Sequence, residues 1–377
     1  MSSRSFGIYV HIPFCVRKCP YCDFVTAPGN REERVSYLDA LESEIRTSEW
    51  SGDQALTIYF GGGTPSELGP PDLRRVVQTV QEAFAVQPGA ECSIECNPGT
   101  LSKSKLSKMR SMGFNRLSLG VQSFSDRFLS LLGRIHTSAE AREAYRLIRA
   151  ARFDNVNLDL IFGLPGQRLE DWCADLRAAL ELAPEHLSLY GLTVEPETEF
   201  GRLKQRGLLQ EVEEELAASM YEAAGELCAG AGYVQYEISN FALPGRECRH
   251  NLIYWHNEEY LGFGVSAASY VGGVRSINLK SSADYVRAVS ENGAATGYTE
   301  KLDPRAALGE EIMLRLRLGE GFSPSELHGK YNLDPEVLYS ESLKLFFSEG
   351  LLIRKAGSIR LTRRGRLLAN EVCRRFL

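Results

Sequence analysis

The sequence predicts an α/β protein: an open, partial parallel barrel of six strand–helix units, followed by a small winged-helix-like domain. Three observations carry this. Strand-like and amphipathic helical stretches alternate over the first two-thirds of the chain. Each strand candidate keeps one apolar and one polar face. From about Leu302 the pattern becomes three helices, a hairpin and a closing helix.

The strand candidates, in order, are FGIYVHI, LTIYFGG, CSIECN, RLSLGVQS, NVNLDLIFG and HLSLYGLTV. Helical stretches between them cover Arg31–Glu49, Pro71–Ala85, Ser102–Met112, Ser138–Ala151 and Leu169–Leu182, so right-handed crossovers and a parallel sheet follow. In the first strand Phe6, Ile8, Val10 and Ile12 share one face, and Gly7, Tyr9 and His11 the other. The later strands set Thr57 and Tyr59, then Ser93 and Glu95, then Ser118, Gly120 and Gln122, then Asn157 and Asp159, then Ser188 and Tyr190 against apolar partners. A parallel strand covered on both faces would read as nearly continuous apolar sequence, and a barrel filled with layered Val and Ile does not fit. A wet lumen that holds a ligand does, with Glu95, Gln122 and Asp159 toward its C-terminal mouth. Domain limits follow at 1–235 for the barrel, 236–300 for a connecting region and 301–377 for the terminal domain.

The chain has 377 residues, 44% of them hydrophobic and 24% charged, with a formal net charge of −6. That acidity argues against wholesale nucleic-acid binding, although the tail RKAGSIRLTRRGRLLANEVCRRFL is basic and reads as a solvated surface or a polyanion contact. No apolar run reaches membrane-spanning length, and MSSRSFGIYV has no signal-peptide core. The nine cysteines are an odd number in a leaderless chain, which points to a reducing cytoplasm rather than a disulfide scaffold.

Cys15, Cys19 and Cys22 fall on one short loop after the first strand. Clustered thiolates suit zinc or iron–sulfur. A structural zinc site wants a fourth ligand, and His11 is the obvious nearby candidate. Three thiolates alone suit a [4Fe–4S] cluster with one iron left open. The remaining six cysteines are scattered and read as small buried side chains. After the second strand, GGGTP allows close backbone approach to a ligand, and no Lys-Ser/Thr follows to make a P-loop.

C-x3-C-x2-C after the first strand resembles the signature of the radical SAM superfamily. That resemblance implies a [4Fe–4S] cluster on Cys15, Cys19 and Cys22, with S-adenosylmethionine chelating the open iron and cleaved to a 5′-deoxyadenosyl radical. It further implies that Gly62, Gly63 and Thr64 contact the methionine moiety and that Glu95 holds the ammonium or ribose. A helix N-terminus is the other partner open to Glu95. Within the superfamily the chain is similar to the oxygen-independent coproporphyrinogen III oxidase-like family, where residues matching Tyr9, Tyr21, Gln122, Arg134 and Asp159 contact S-adenosylmethionine, including a second copy.

Two details resemble the heme-chaperone branch of that family. Phe24 stands where the oxidases carry a further cysteine, and CRHNLIYWH supplies an H-N-x-x-Y-W motif. The resemblance extends over nearly the whole chain. It implies heme as cargo, His250 as the heme contact with Tyr254 and Trp255 beside it, heme-accepting respiratory membrane proteins as partners, and a homodimer. His250 also reads as a packed, hydrogen-bonded core histidine. His256 is a second candidate, and His136 and His186 read as structural. Two other functions stay open: a radical enzyme, either coproporphyrinogen III dehydrogenase or methyltransferase, and a nucleic-acid-binding regulator using the terminal domain.

Overall fold

A computed structural model describes residues 4–377; residues 1–3, part of the MSSRSFGIYV segment read above for a signal peptide, lie outside it. The strands are β1 (Ser5–Ile12), β2 (Gln54–Gly62), β3 (Ala85–Cys96), β4 (Arg116–Gln122), β5 (Val156–Phe162), β6 (His186–Gly191), β7 (Val234–Gln235), β8 (Asn240–Ala242), β9 (Tyr260–Phe263), β10 (Ala268–Val271), β11 (Val274–Asn278), β12 (Thr296–Lys301), β13 (Leu352–Lys355) and β14 (Ser358–Leu361). The helices of the larger unit are α1 (Arg31–Arg46), α2 (Pro70–Ala83), α3 (Lys103–Ser111), α4 (Asp126–Leu131), α5 (Ser138–Ala150), α6 (Leu169–Glu181), α7 (Glu199–Gln205), α8 (Glu214–Gly230), α9 (Arg249–Trp255) and α10 (Ser282–Asn292). The terminal unit adds α11 (Pro304–Leu316), α12 (Pro324–Tyr331), α13 (Pro335–Leu338), α14 (Ser340–Ser348), α15 (Arg363–Leu367) and α16 (Ala369–Cys373).

Twelve strands form one sheet in the order β12-β11-β10-β9-β1-β2-β3-β4-β5-β6-β8-β7. Its centre is parallel, from β9 through β1 to β6. Antiparallel strands finish both flanks, and the edge strands β12 and β7 do not pair with each other, so the barrel stays open. The six predicted strands are all present. A seventh parallel strand, β9, pairs with β1 from far along the chain, and the sheet thus continues through residues 236–301.

The alternation resolves as the pattern demands. Phe6, Ile8, Val10 and Ile12 are fully buried beneath the outer helices, in one core with Leu117, Leu119, Val156 and Leu158. Helix starts follow local chemistry: Asn30 and Glu33 form a reciprocal cap on α1, and Thr137 and Glu140 do so on α5. Trp172 on α6, fully buried, donates its indole N–H to the Met220 carbonyl at 2.9 Å and ties α6 to α8.

The terminal unit has its own core around Leu308, Ile312, Phe322, Leu327, Ile359 and Phe376. The β13–β14 hairpin is its wing. Its third helix is divided at Tyr339 into α13 and α14, and its closing helix at Leu368 into α15 and α16. Several arginines of the basic tail are engaged with the protein itself: Arg363 pairs with Glu222 and Glu226, and Arg354 with Glu336.

Candidate functional site

The mouth of the lumen is assembled where four parallel strands end. Cys15 follows β1 and donates its N–H to Ala27 O at 3.2 Å, while Cys22 N–H closes a tight turn onto Cys19 O at 3.1 Å. All three thiols are free and half-buried; of the other six cysteines, five are buried and Cys173 is half-buried. The glycine turn after β2 grips this loop. Gly63 N–H donates to Ile12 O and Thr64 N–H to Phe14 O, both at 2.8 Å. The Thr64 hydroxyl lies 3.3 Å from Cys15 Sγ. Only glycine fits there. Gly62 has φ +107°, and a Cβ on Gly63 would stand 2.8 Å from the Phe14 carbonyl oxygen. The Gly63 and Thr64 amides are therefore spent on holding the segment that leads into the cysteine loop.

A cavity of about 400 Å³ opens beneath. It is lined by Cys15, Cys19, Tyr21, Cys22, Gly62, Gly63, Thr64, Glu95, Gln122, Arg134 and Asp159, so eleven of the thirteen predicted site residues meet in one place. Arg134 reaches Asn97 Oδ1, donates to Gly120 O at 2.8 Å and points Nη1 toward Cys19 Sγ at 3.8 Å. Gln122 adopts φ +69° at a register shift between β4 and β5, a local strain of the kind that re-aims a side chain at a site. Glu95 accepts from the Tyr59 hydroxyl at 2.9 Å and from Gly62 N–H at 3.2 Å. Burial and then repulsion from Asp159 push its carboxyl up to about 7. Asp159 accepts from Ser118 and from Asn157, each at 2.8 Å, and burial raises its carboxyl too. Burial likewise raises the Cys15 and Cys22 thiols.

The other two predicted residues, Tyr9 and His250, lie under the cavity. Helix α9 carries the HNLIYW segment and closes the N-terminal end of the lumen. Glu91 holds its first turn, accepting from Arg249 N–H and His250 N–H, each at 3.1 Å. His250 is 1% exposed. Its Nδ1 is 2.7 Å from Thr57 Oγ1 and its Nε2 is 2.7 Å from the Tyr254 hydroxyl, so both ring nitrogens are engaged. The ring stacks on Tyr59 at 5.1 Å, and burial followed by the Arg116 charge drives its imidazole down to about 3. The Tyr9 hydroxyl meets His11 Nδ1 at 3.2 Å. Gly7 leaves room for the helix, since a Cβ there would stand 2.8 Å from Ile253 Cδ1. Trp255 lies under the Arg317 guanidinium at 4.6 Å, and His256 contacts Glu320 at 3.0 Å, so the far side of α9 faces the terminal domain. His136 bonds the Val121 carbonyl at 3.2 Å, and His186 bridges Asn157 and Tyr236, both as buried packing groups.

The donor set at the mouth is three free thiols on one short loop. Around one zinc, thiolate sulfurs converge to roughly 3.8 Å of each other, given Zn–S bonds of about 2.3 Å. His11, the fourth ligand considered for zinc, is buried with Nε2 on the Val25 carbonyl at 3.0 Å, and burial holds its imidazole down to about 4. Three thiols on one loop, with the Arg134 guanidinium beside Cys19, would suit a multi-iron cluster, which puts each thiolate on a separate iron.

Strand alternation already contained several lining residues that were not singled out. Tyr59, Ser118, Asn157, Ser188 and Tyr190 occupy the polar faces and line the cavity. Arg116, at the start of β4, and Asn251, on α9, line it as well. Arg116 continues the alternation of Ser118 and Gln122, whereas only tertiary contact could bring Asn251 there.

An open parallel sheet with three thiols on its first loop and a polar lumen defines a radical SAM protein. The model of the Radical SAM superfamily matches residues 9–179, and that of the HemN C-terminal domain matches residues 302–368. The chain is 38% identical to a protein named heme chaperone HemW from Bacillus subtilis over 98% of each chain. It is 40% identical to the Escherichia coli protein of that name over 69% of each. The solved structure of coproporphyrinogen III oxidase HemN from Escherichia coli superimposes with a TM-score of 0.87 at 27% identity, covering 99% of this chain and 90% of that one. The chain belongs to the HemW family of radical SAM proteins.

Proposed function

We propose that this protein is a heme chaperone that binds heme together with a [4Fe–4S] cluster and S-adenosylmethionine, and delivers heme to acceptor proteins. The observation that carries this reading is the convergence of the three thiols with Glu95, Gln122, Arg134 and Asp159 on one cavity, in a chain whose full-length relatives bear the heme-chaperone name. Cys15, Cys19 and Cys22 would hold the cluster, which supplies an open iron and an electron source when bound. Arg134, beside Cys19, offsets the negative charge of a thiolate cluster. Gly62, Gly63 and Thr64 fix the loop and border the S-adenosylmethionine pocket with Tyr21. Glu95 and Asp159 give it acceptors for ammonium and ribose groups. Tyr9 stands one layer lower and supports them through Tyr59, against which it stacks at 6.2 Å.

His250 contacts heme in this reading only after Tyr254 or Thr57 has released a ring nitrogen. Heme access from the α9 side therefore requires that helix to shift. A cytoplasmic site of action, membrane-bound respiratory enzymes as acceptors and a homodimer belong to the same proposal; among the described residues no helix is long and apolar enough to cross a membrane. Heme titration of the anaerobically reconstituted protein, followed by absorbance, tests the reading. Saturable one-to-one binding is expected, and its absence with the cluster in place would reject it.

A second reading, a radical enzyme that oxidises coproporphyrinogen III, is favoured by the structural likeness to HemN. Phe24, 66% exposed on the cysteine loop, stands where the oxidase pattern has another cysteine, and this weighs against it. Anaerobic incubation with coproporphyrinogen III, S-adenosylmethionine and a reductant would yield protoporphyrinogen if the second reading holds.

A further inference from the structure

Arg116 opens β4, at the opposite end of the strand from Gln122, a separation of roughly 20 Å by strand rise. It is 2% exposed, yet its side chain lines the same cavity as the cysteines. Among the described residues its Nε has no hydrogen-bond partner, and although the Glu91 carboxylate favours its charge, that carboxylate makes no hydrogen bond to the guanidinium. Glu91, the nearest acidic influence, spends both oxygens on the N–H groups of Arg249 and His250 and on the Cys248 thiol. Every other charged group along this wall is engaged: Glu95 by Tyr59 and Gly62, Asp159 by Ser118 and Asn157, Arg134 by Asn97 and Gly120. A buried guanidinium with an unmatched donor leaves part of its desolvation cost unrepaid. Such a group persists where a ligand completes it.

We propose that Arg116 is the floor anchor for a ligand carboxylate, held by a planar two-point contact with the guanidinium while the rest of the ligand extends toward the mouth. The surroundings select the class. Guanidinium and carboxylate match fork to fork. Ser118, Asn157 and Tyr59 offer neutral polar groups beside the cation, whereas Glu91, Glu95 and Asp159 would repel a phosphate dianion. A single negative charge is what the floor accommodates.

Under the function proposed above, on which this inference rests for its ligand, that chemistry is presented by a propionate of heme; S-adenosylmethionine, whose methionyl group belongs at the mouth, is the control. The test compares wild type, R116K and R116Q, each reconstituted with its cluster, as binders of heme, heme dimethyl ester, S-adenosylmethionine and its decarboxylated form. Dissociation constants come from absorbance titration and equilibrium dialysis. Removing the anchored carboxylate is expected to weaken binding to wild type at least about tenfold, the worth of one charge-assisted contact, and this penalty is expected to vanish in R116Q and partly persist in R116K. A penalty that vanishes for the heme pair assigns the propionate; one that shrinks about tenfold for the S-adenosylmethionine pair instead rejects the propionate as the anchored group. Heme dimethyl ester binding wild type as tightly as heme, with S-adenosylmethionine binding R116Q unimpaired, overturns the anchor while leaving the chaperone reading intact. If wild type binds neither ligand, both fail. The wild-type ester comparison needs no variant to fold.

Discussion

The two ends of this lumen are built on opposite plans. At the mouth, the backbone is fully tied while side chains stay half-buried and available: the glycine turn is stitched to the cysteine loop, and the thiols face a cavity. At the floor, the side chains are tied to one another: His250 to Thr57 and Tyr254, His186 to Asn157 and Tyr236, Glu91 to the start of α9. A site that must accept a cluster and a nucleotide needs a rigid frame with vacant ligating groups. A plug needs satisfied polar groups, because each orphan would cost about 1–3 kcal/mol. Arg116, whose Nε has no hydrogen-bond partner among the described residues, is an exception at the floor, which is why it stands out as a ligand anchor.

This contrast can be broken experimentally, and the largest effect belongs at the mouth. Replacing Cys15, Cys19 and Cys22 together by alanine is expected to abolish bound iron and the visible iron–sulfur absorbance. The melting temperature of the cluster-free chain should shift by only a few degrees, because the thiols are half-buried and support little packing. Iron assay and circular dichroism check this; a triple variant that fails to fold would show the loop to be structural. At the floor, His250→Ala removes two buried hydrogen bonds and an aromatic stack. A loss of about 2–4 kcal/mol in denaturant unfolding follows, with iron content unchanged. If iron falls as far as in the cysteine variant, mouth and floor are not separate.

A smaller effect joins the two strategies. Gly63→Ala drives a Cβ against the Phe14 carbonyl and is expected to cost about 1–3 kcal/mol. Because the same turn positions Cys15, cluster occupancy should fall together with stability, in contrast to the His250 variant.

The smallest is a pH effect at Glu95. Its folded-state pKa, near 7, lies above the ordinary value of 4.5. The protonated form is therefore favoured in the folded protein, and the stabilisation is complete below about pH 4.5 and lost as pH rises through 7. The melting temperature of the ligand-free wild type should fall by a few degrees, relative to Glu95→Gln, as pH rises across that window. An unchanged difference would place the carboxyl in an ordinary, solvated state.

Much of the mouth is legible in the sequence. The C-x3-C-x2-C spacing and the glycine turn are contiguous, and the period-two alternation of β3, β4 and β5 assigned Glu95, Gln122 and Asp159 inward. The same alternation held Ser118 and Asn157, which a stricter reading of each polar face would have promoted. The floor was less legible. HNLIYW was visible as a motif, but nothing local says that its histidine meets Thr57, 193 positions earlier. The seventh parallel strand, β9, is four residues long and too short for periodicity to announce.

Local pattern alone thus settled which residues form strands, which side of each strand is polar and where three thiols crowd together, because those properties depend on neighbours in the chain. Whether a histidine keeps a free nitrogen, whether an arginine finds a partner and which distant strand completes a sheet depend on contacts between segments hundreds of residues apart. Those were decided by packing, since burial and hydrogen-bond satisfaction exist only once the chain has closed on itself.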